Sequence, residues 1–113
     1  MKIENENYVL DYDEENYHVK ISGSLRLNGL DEYTPILDQL KHCLENSDIM
    51  VVDLSQLEFL NSSGIAMLSK FVIEARNKDG LKLNILGSNL IPWQGKSLKN
   101  LQRLFPALKI NIN

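Results

Sequence analysis

Asp53-Leu54-Ser55-Gln56-Leu57-Glu58-Phe59-Leu60-Asn61-Ser62-Ser63-Gly64-Ile65 decides how this chain folds, because an apolar run ends in it, polar residues crowd together, and a helical pattern begins. The stretch predicts a strand, a loop and the N-terminus of a helix. Upstream, Ile49-Met50-Val51-Val52-Asp53-Leu54 is nearly continuous in apolar residues, rich in β-branching and too short for an independent helix, so it fits a central parallel strand. Downstream, Ile65, Leu68, Phe71, Val72 and Ala75 mark one helical face, with Lys70, Glu74, Arg76 and Lys78 largely off it. Two hydroxyls and a glycine at the mouth of that helix set free N–H groups and the positive end of the helix dipole beside a modifiable oxygen.

Toward the N-terminus, Tyr8–Asp11 and Tyr17–Ser22 read as two strands of a hairpin around Tyr12-Asp13-Glu14-Glu15-Asn16. Tyr17, Val19 and Ile21 alternate with His18, Lys20 and Ser22, the period of a strand with one buried face. The acidic turn lacks the glycine and closing glutamate of a calcium loop and reads as solvated. Between Asp31 and Asn46, Ile36, Leu37, Leu40 and Leu44 recur at helical spacing, and Pro35 places the start of the regular helix near Thr34. Beyond the second helix, Asp79-Gly80 is a stop, and Leu83 and Ile85 alternate with Lys82 and Asn84 in a strand closing at Gly87. Ser97 to Phe105 carries Leu98, Leu101, Leu104 and Phe105 at helical spacing, with Ser97 near its N-cap and Pro106 as its stop. Leu108, Ile110 and Ile112 then alternate in a last strand. The order β, β, α, β, α, β, α, β predicts an α/β fold: a mostly parallel sheet of four to five strands with an N-terminal hairpin, covered by about three helices.

With 113 residues and 43% hydrophobic content, the chain can bury one sizeable core, so a single domain over 1–113 is expected. Lys and Arg are scattered in a chain of net charge -3, so no surface for nucleic acid is marked, and a basic partner is easier to accommodate than an anionic one. The single cysteine, Cys43, excludes an internal disulfide. Met1-Lys2-Ile3-Glu4-Asn5-Glu6-Asn7 lacks the apolar core of a secretion signal, so the cytoplasm is the expected compartment. Apolar runs fall far short of the roughly 20 residues that cross a bilayer, so direct membrane insertion is not expected. His42 and Cys43 are adjacent and cannot chelate a metal by themselves, and His18 is distant, so neither a metal nor a cofactor is expected.

Element order and central stretch together resemble the STAS domain, the module of bacterial anti-sigma-factor antagonists that also occurs in stressosome proteins and anion transporters. Val51 to Ile65 is similar to that family's buried strand, Asp-Leu-Ser turn and Asp-Ser-Ser-Gly phosphorylation motif. The resemblance implies a non-enzymatic binding switch in a partner-switching pathway. Its partner would be a protein kinase or anti-sigma factor of the histidine-kinase-like ATPase type, with a serine phosphatase to reset it. By position Ser62 is the implied phosphoacceptor, Ser63 and Gly64 shape the helix entrance, and Asp53 is the acidic residue beside the site. Ser62, Ser63, Ile65 and Trp93 are the candidate partner contacts. The chain departs from the motif at Asn61, which stands where the family usually has aspartate, keeping size and turn-forming capacity and removing a charge. A constitutive STAS scaffold, or a small-ligand-binding subunit of a membrane transporter complex, is the alternative.

The physics of such a switch does not depend on the family. A phosphate adds about -1.5 to -2 charges, which the donors of a helix N-terminus tolerate, while a partner packed over the same surface meets a desolvated dianion. The competing interpretation is that Ser62 or Ser63 merely caps the helix, an interaction worth about 1 kcal/mol. No Gly-x-Ser-x-Gly elbow surrounds Ser62, which argues against a hydrolase. Gly95-Lys96-Ser97 lacks the glycine of a phosphate-binding loop, since Leu90 stands at that position. In Ser88 to Lys96, Trp93 either covers the core or anchors a partner.

Overall fold

A computed structural model describes residues 2–113. Along the chain it places β1 (Lys2–Glu4), β2 (Tyr8–Asp13), β3 (His18–Leu25), α1 (Gly29–Glu45), β4 (Ile49–Leu60), α2 (Ser62–Arg76), β5 (Lys82–Gly87), α3 (Gln94–Leu101) and β6 (Lys109–Ile112). The strands form one six-stranded sheet whose spatial order follows the sequence, β1 through β6. β1, β2 and β3 pair antiparallel, and β3 through β6 pair parallel. The mixed α/β architecture is as expected, but with more strands than four to five. Lys2–Glu4 adds an outer strand that its polar sequence does not signal, and both hairpin strands run longer, turning at Tyr17, whose φ is 53°.

Alternating residues of the sheet, including Leu10, Val19, Ile21, Met50, Val52, Leu83 and Ile85, join Tyr33, Ile36, Leu40, Phe71, Val72 and Leu98 of the helices in one core. The other face stays wet. There Asp11, Lys20 and Asp53 stand in register across β2, β3 and β4, so charges of opposite sign are neighbours.

β4 departs most from expectation, because the stretch read as a loop is strand up to Leu60. Its inward residues are Met50, Val52 and Leu54 at every second position, then Leu57 and Leu60 at every third. The pairing with β3 explains the change of period. Lys20↔Asp53 is followed by Ser22↔Gln56, and Gly23↔Leu57 by Ser24↔Phe59, so β4 carries one extra residue at each step. Two bulges thus keep the leucines inward while the strand advances. A side chain at Gly23, whose φ is 96°, would run into the Asn7 carbonyl.

Two helix boundaries also differ. α1 begins at Gly29, not near Thr34, because Asn28 occupies the N-cap and Glu32 accepts from its N–H at 3.1 Å. Pro35 therefore lies inside the helix, yet both it and Asp31, whose carbonyl it leaves without a donor, are exposed to water. α3 begins at Gln94, so Ser97 is within the helix and not at its cap. The helix ends before Pro106, in a tightened turn where Gln102, Arg103 and Leu104 donate to carbonyls three residues back.

Candidate functional site

The C-terminal ends of the parallel strands carry the mouth of α2, and Asn61 organises it. Its backbone is extended at φ -80° and ψ 176°, and its Oδ1 accepts from the Gly64 N–H at 3.0 Å. The same oxygen accepts from the Tyr33 hydroxyl at 2.7 Å, while Nδ2 donates to the Leu27 carbonyl at 2.7 Å. Partner chemistry fixes the amide's orientation, since the Gly64 N–H needs an oxygen and the Leu27 carbonyl needs a donor. Asn61 thereby ties the β3–α1 connection, α1 and α2 to the end of β4. Burial pushes the Tyr33 hydroxyl's pKa up, which keeps it a donor to Asn61. Gly64 is the second fixed point: a Cβ there would collide with the Leu60 side chain and come within 2.8 Å of the Tyr33 oxygen.

The cap of α2 is thus Asn61, and neither serine serves as one. Ser62 is exposed and Ser63 half-buried, and among the described residues neither hydroxyl makes a hydrogen bond. Their N–H groups open the helix and have no intrahelical acceptor. Ile65, expected on the buried face, is half-buried beside them.

Asp53 is not part of this mouth. The strand continues from Asp53 to Leu60, roughly 20 Å at an ordinary strand rise. Its Oδ1 accepts from the Ser55 N–H at 2.9 Å and from the Ser55 hydroxyl at 2.6 Å, and its Oδ2 lies 3.8 Å from His18 Nε2. The expectation that it stands beside Ser62 is corrected by the continuation of β4. His18 is likewise paired with Asp53 and not with Ser62.

Trp93 is half-buried, and its Nε1 donates to the Leu57 carbonyl at 3.2 Å. The adjacent Gln94, which sequence reasoning passed over, is fully buried. Pairing of β4 with β5 ends at Asp53↔Leu86, and beyond it the Gln94 amide substitutes for the missing strand. Its Nε2 donates to the carbonyls of Leu54 at 2.5 Å and Leu57 at 3.0 Å, and its Oε1 accepts from the Ser88 N–H at 2.7 Å. The exposure of Phe59 and Leu30 went unnoticed, and Leu90, in the loop that holds Trp93, is 90% exposed. Arg26 lies over the Phe59 ring, 4.5 Å from its centroid.

No protein-family model matches the chain, and no curated protein sequence does. Among solved structures, one chain in the complex of the diguanylate cyclase SiaD with its activator SiaC from Pseudomonas aeruginosa superposes with a TM-score of 0.74 at 13% identity, covering 100% of this chain and 99% of that one. Apo-SiaC from the same organism gives a TM-score of 0.74 at 12% identity, covering 100% and 98%. An anti-sigma factor antagonist from Mycobacterium paratuberculosis gives 0.59 at 18% identity, covering 96% and 82%. The chain has a STAS-like fold. The STAS-like proteins named in these comparisons are regulators, an activator of a cyclase and an antagonist of an anti-sigma factor. Among the described residues, no group of His, Cys, Asp and Glu is arranged to hold a metal ion, and no helix is long and apolar enough to cross a membrane.

Proposed function

We propose that this chain is a non-enzymatic, single-domain protein-interaction module of a bacterial partner-switching pathway, in which phosphorylation of Ser62 controls partner binding. One observation carries the reading: Asn61 caps α2, which leaves Ser62 exposed at the helix mouth with no structural duty. A phosphate there faces the free N–H groups of the first helical turn, so the fold tolerates it. A partner seated over Ser62, Ser63 and Ile65 does not. The partner is a kinase or anti-sigma factor of the histidine-kinase-like ATPase type, reset by a serine phosphatase, in the cytoplasm. Trp93 takes part only through its exposed edge, since its ring nitrogen is committed to Leu57.

A second reading of the partner, a diguanylate cyclase, is favoured by the agreement with SiaC over the full length of both chains. The two readings share the switch and differ in what it releases. Mass spectrometry of the chain recovered from its own cells is expected to place phosphate on Ser62. Ser62→Glu is expected to lower capture of the co-purifying partner at least tenfold, equivalent to about 1.4 kcal/mol, with little change in the thermal melt. Phosphate absent from Ser62, or capture undiminished by Ser62→Glu, overturns the proposal in favour of a constitutive scaffold or a transporter subunit.

A further inference from the structure

The β3–α1 connection brings a cation to the site that the switch does not yet use. Arg26 is bracketed by Asn61: the Asn61 N–H donates to the Leu25 carbonyl at 3.2 Å, and its side-chain amide donates to the Leu27 carbonyl at 2.7 Å. Residue 26 is therefore held about one strand spacing, roughly 5 Å, from Asn61. Ser62 follows Asn61, about 3.8 Å further along the chain. Those two steps together are shorter than an extended arginine and a phosphoserine placed end to end. Among the described residues, Arg26 has no carboxylate partner, and its guanidinium rests on the exposed ring of Phe59. An exposed cation–π contact of this kind is weak, and a phosphate dianion offers the guanidinium a bidentate acceptor instead.

We infer that Arg26 is the intramolecular counter-ion of a phosphate on Ser62: in the modified chain the guanidinium leaves the Phe59 ring and pairs with the phosphate. The inference rests on Ser62 being the acceptor and adds the residue that holds the phosphate. It also gives the switch a second arm, because the movement uncovers Phe59 while it neutralises part of the new charge. The modified and unmodified surfaces then differ in an apolar group as well as a charge.

The test uses the full chain with phosphoserine installed at residue 62 by genetic encoding, so it does not depend on a cellular kinase. Phosphorus NMR follows the phosphate's second ionisation, which for a free phosphoserine lies near pH 6. A unit charge about 5 Å away in solvent moves such a titration by roughly half a pH unit, so the wild-type midpoint is expected that far below the midpoint of the Arg26→Gln chain. Arg26→Lys, which keeps the charge and loses the planar fork, is expected between them. Proton NMR gives an independent reading: the Arg26 side-chain protons, shielded by the Phe59 ring in the unmodified chain, are expected to lose that shielding on phosphorylation. Equal midpoints in the wild-type and Arg26→Gln chains, or ring shielding unchanged by the phosphate, overturn the inference and leave the helix N–H groups as the whole phosphate site. Should Arg26→Gln not fold, the Arg26→Lys midpoint and the shielding decide. Absence of phosphate from Ser62 in cells would overturn the proposed function and leave these measurements standing.

Discussion

Asn61→Asp restores the residue usual in the family motif, and the hydrogen bonds around Asn61 predict that it weakens this protein. The oxygen that receives Gly64 and Tyr33 survives the change. A negative charge at the first turn of α2 even contributes about 0.3–1 kcal/mol through the helix dipole. The opposing terms are larger. Nδ2 becomes an oxygen at the place where the Leu27 carbonyl now receives a proton at 2.7 Å. The lost hydrogen bond removes about 1 kcal/mol, and a carbonyl left facing a carboxylate adds about 1–3 kcal/mol. The net expectation at neutral pH is a loss of about 1–4 kcal/mol, a fall of roughly 4–20 °C in melting temperature for a chain of this size. Thermal and urea melts of both chains at pH 7 and near pH 4 measure it. Repulsion from the Leu27 carbonyl raises the new carboxyl's folded-state pKa above its unfolded value. Its relative contribution is therefore fully present below about pH 3.9 and lost as pH rises through the folded value. The gap to wild type is accordingly expected to narrow on acidification, where the protonated acid donates to Leu27 as the amide does. An Asn61→Asp chain that melts at or above wild type at pH 7 would refute the role assigned to the amide donor.

Gln94→Leu removes the donor shared by the Leu54 and Leu57 carbonyls and the acceptor of the Ser88 N–H, all at a buried position, and is expected to lower stability by about 3 kcal/mol in urea melts. A loss below about 1 kcal/mol would show that β4 holds its upper half without that side chain. Burial pushes the Tyr12 hydroxyl up to about 12, with Cys43 beside it adding to the rise. A raised pKa means that its contribution is complete below the unfolded value near 10 and is lost as pH climbs toward about 12. The wild type is therefore expected to lose stability faster than Tyr12→Phe across that alkaline range, and parallel curves would contradict it.

Helices and parallel strands were legible because their periods are local: Ile36, Leu40 and Leu44 in α1, or Leu83 and Ile85 in β5, state their geometry within a few residues. The upper half of β4 was not, since two bulges turn strand alternation into the spacing Leu54, Leu57, Leu60, which matches neither simple period. Pro35 misled because a proline inside a helix is tolerated only where the freed carbonyl meets water, and that depends on which face points outward. At the site, Ser62 and Gly64 were singled out by their positions in a stretch that resembles the family's motif at a helix mouth. The duty of Asn61 was hidden because its partners Tyr33 and Leu27 are 28 and 34 residues away in sequence. Gln94 was hidden in the same way, reaching Leu54 across 40 residues.

Because the sheet lies in chain order, each strand after the first docks against the one synthesised just before it. A chain leaving the ribosome holds open, for a strand still to come, only the edge of its newest strand. The first two pairings close through short turns, and each later one waits for a connecting segment that contains one helix. Growth therefore proceeds from one side of the sheet to the other, and β6, the last of the described strands, pairs only with β5. Chains stalled late in synthesis would expose the side of β5 that β6 covers, and that segment is where a nascent-chain chaperone would find an open edge.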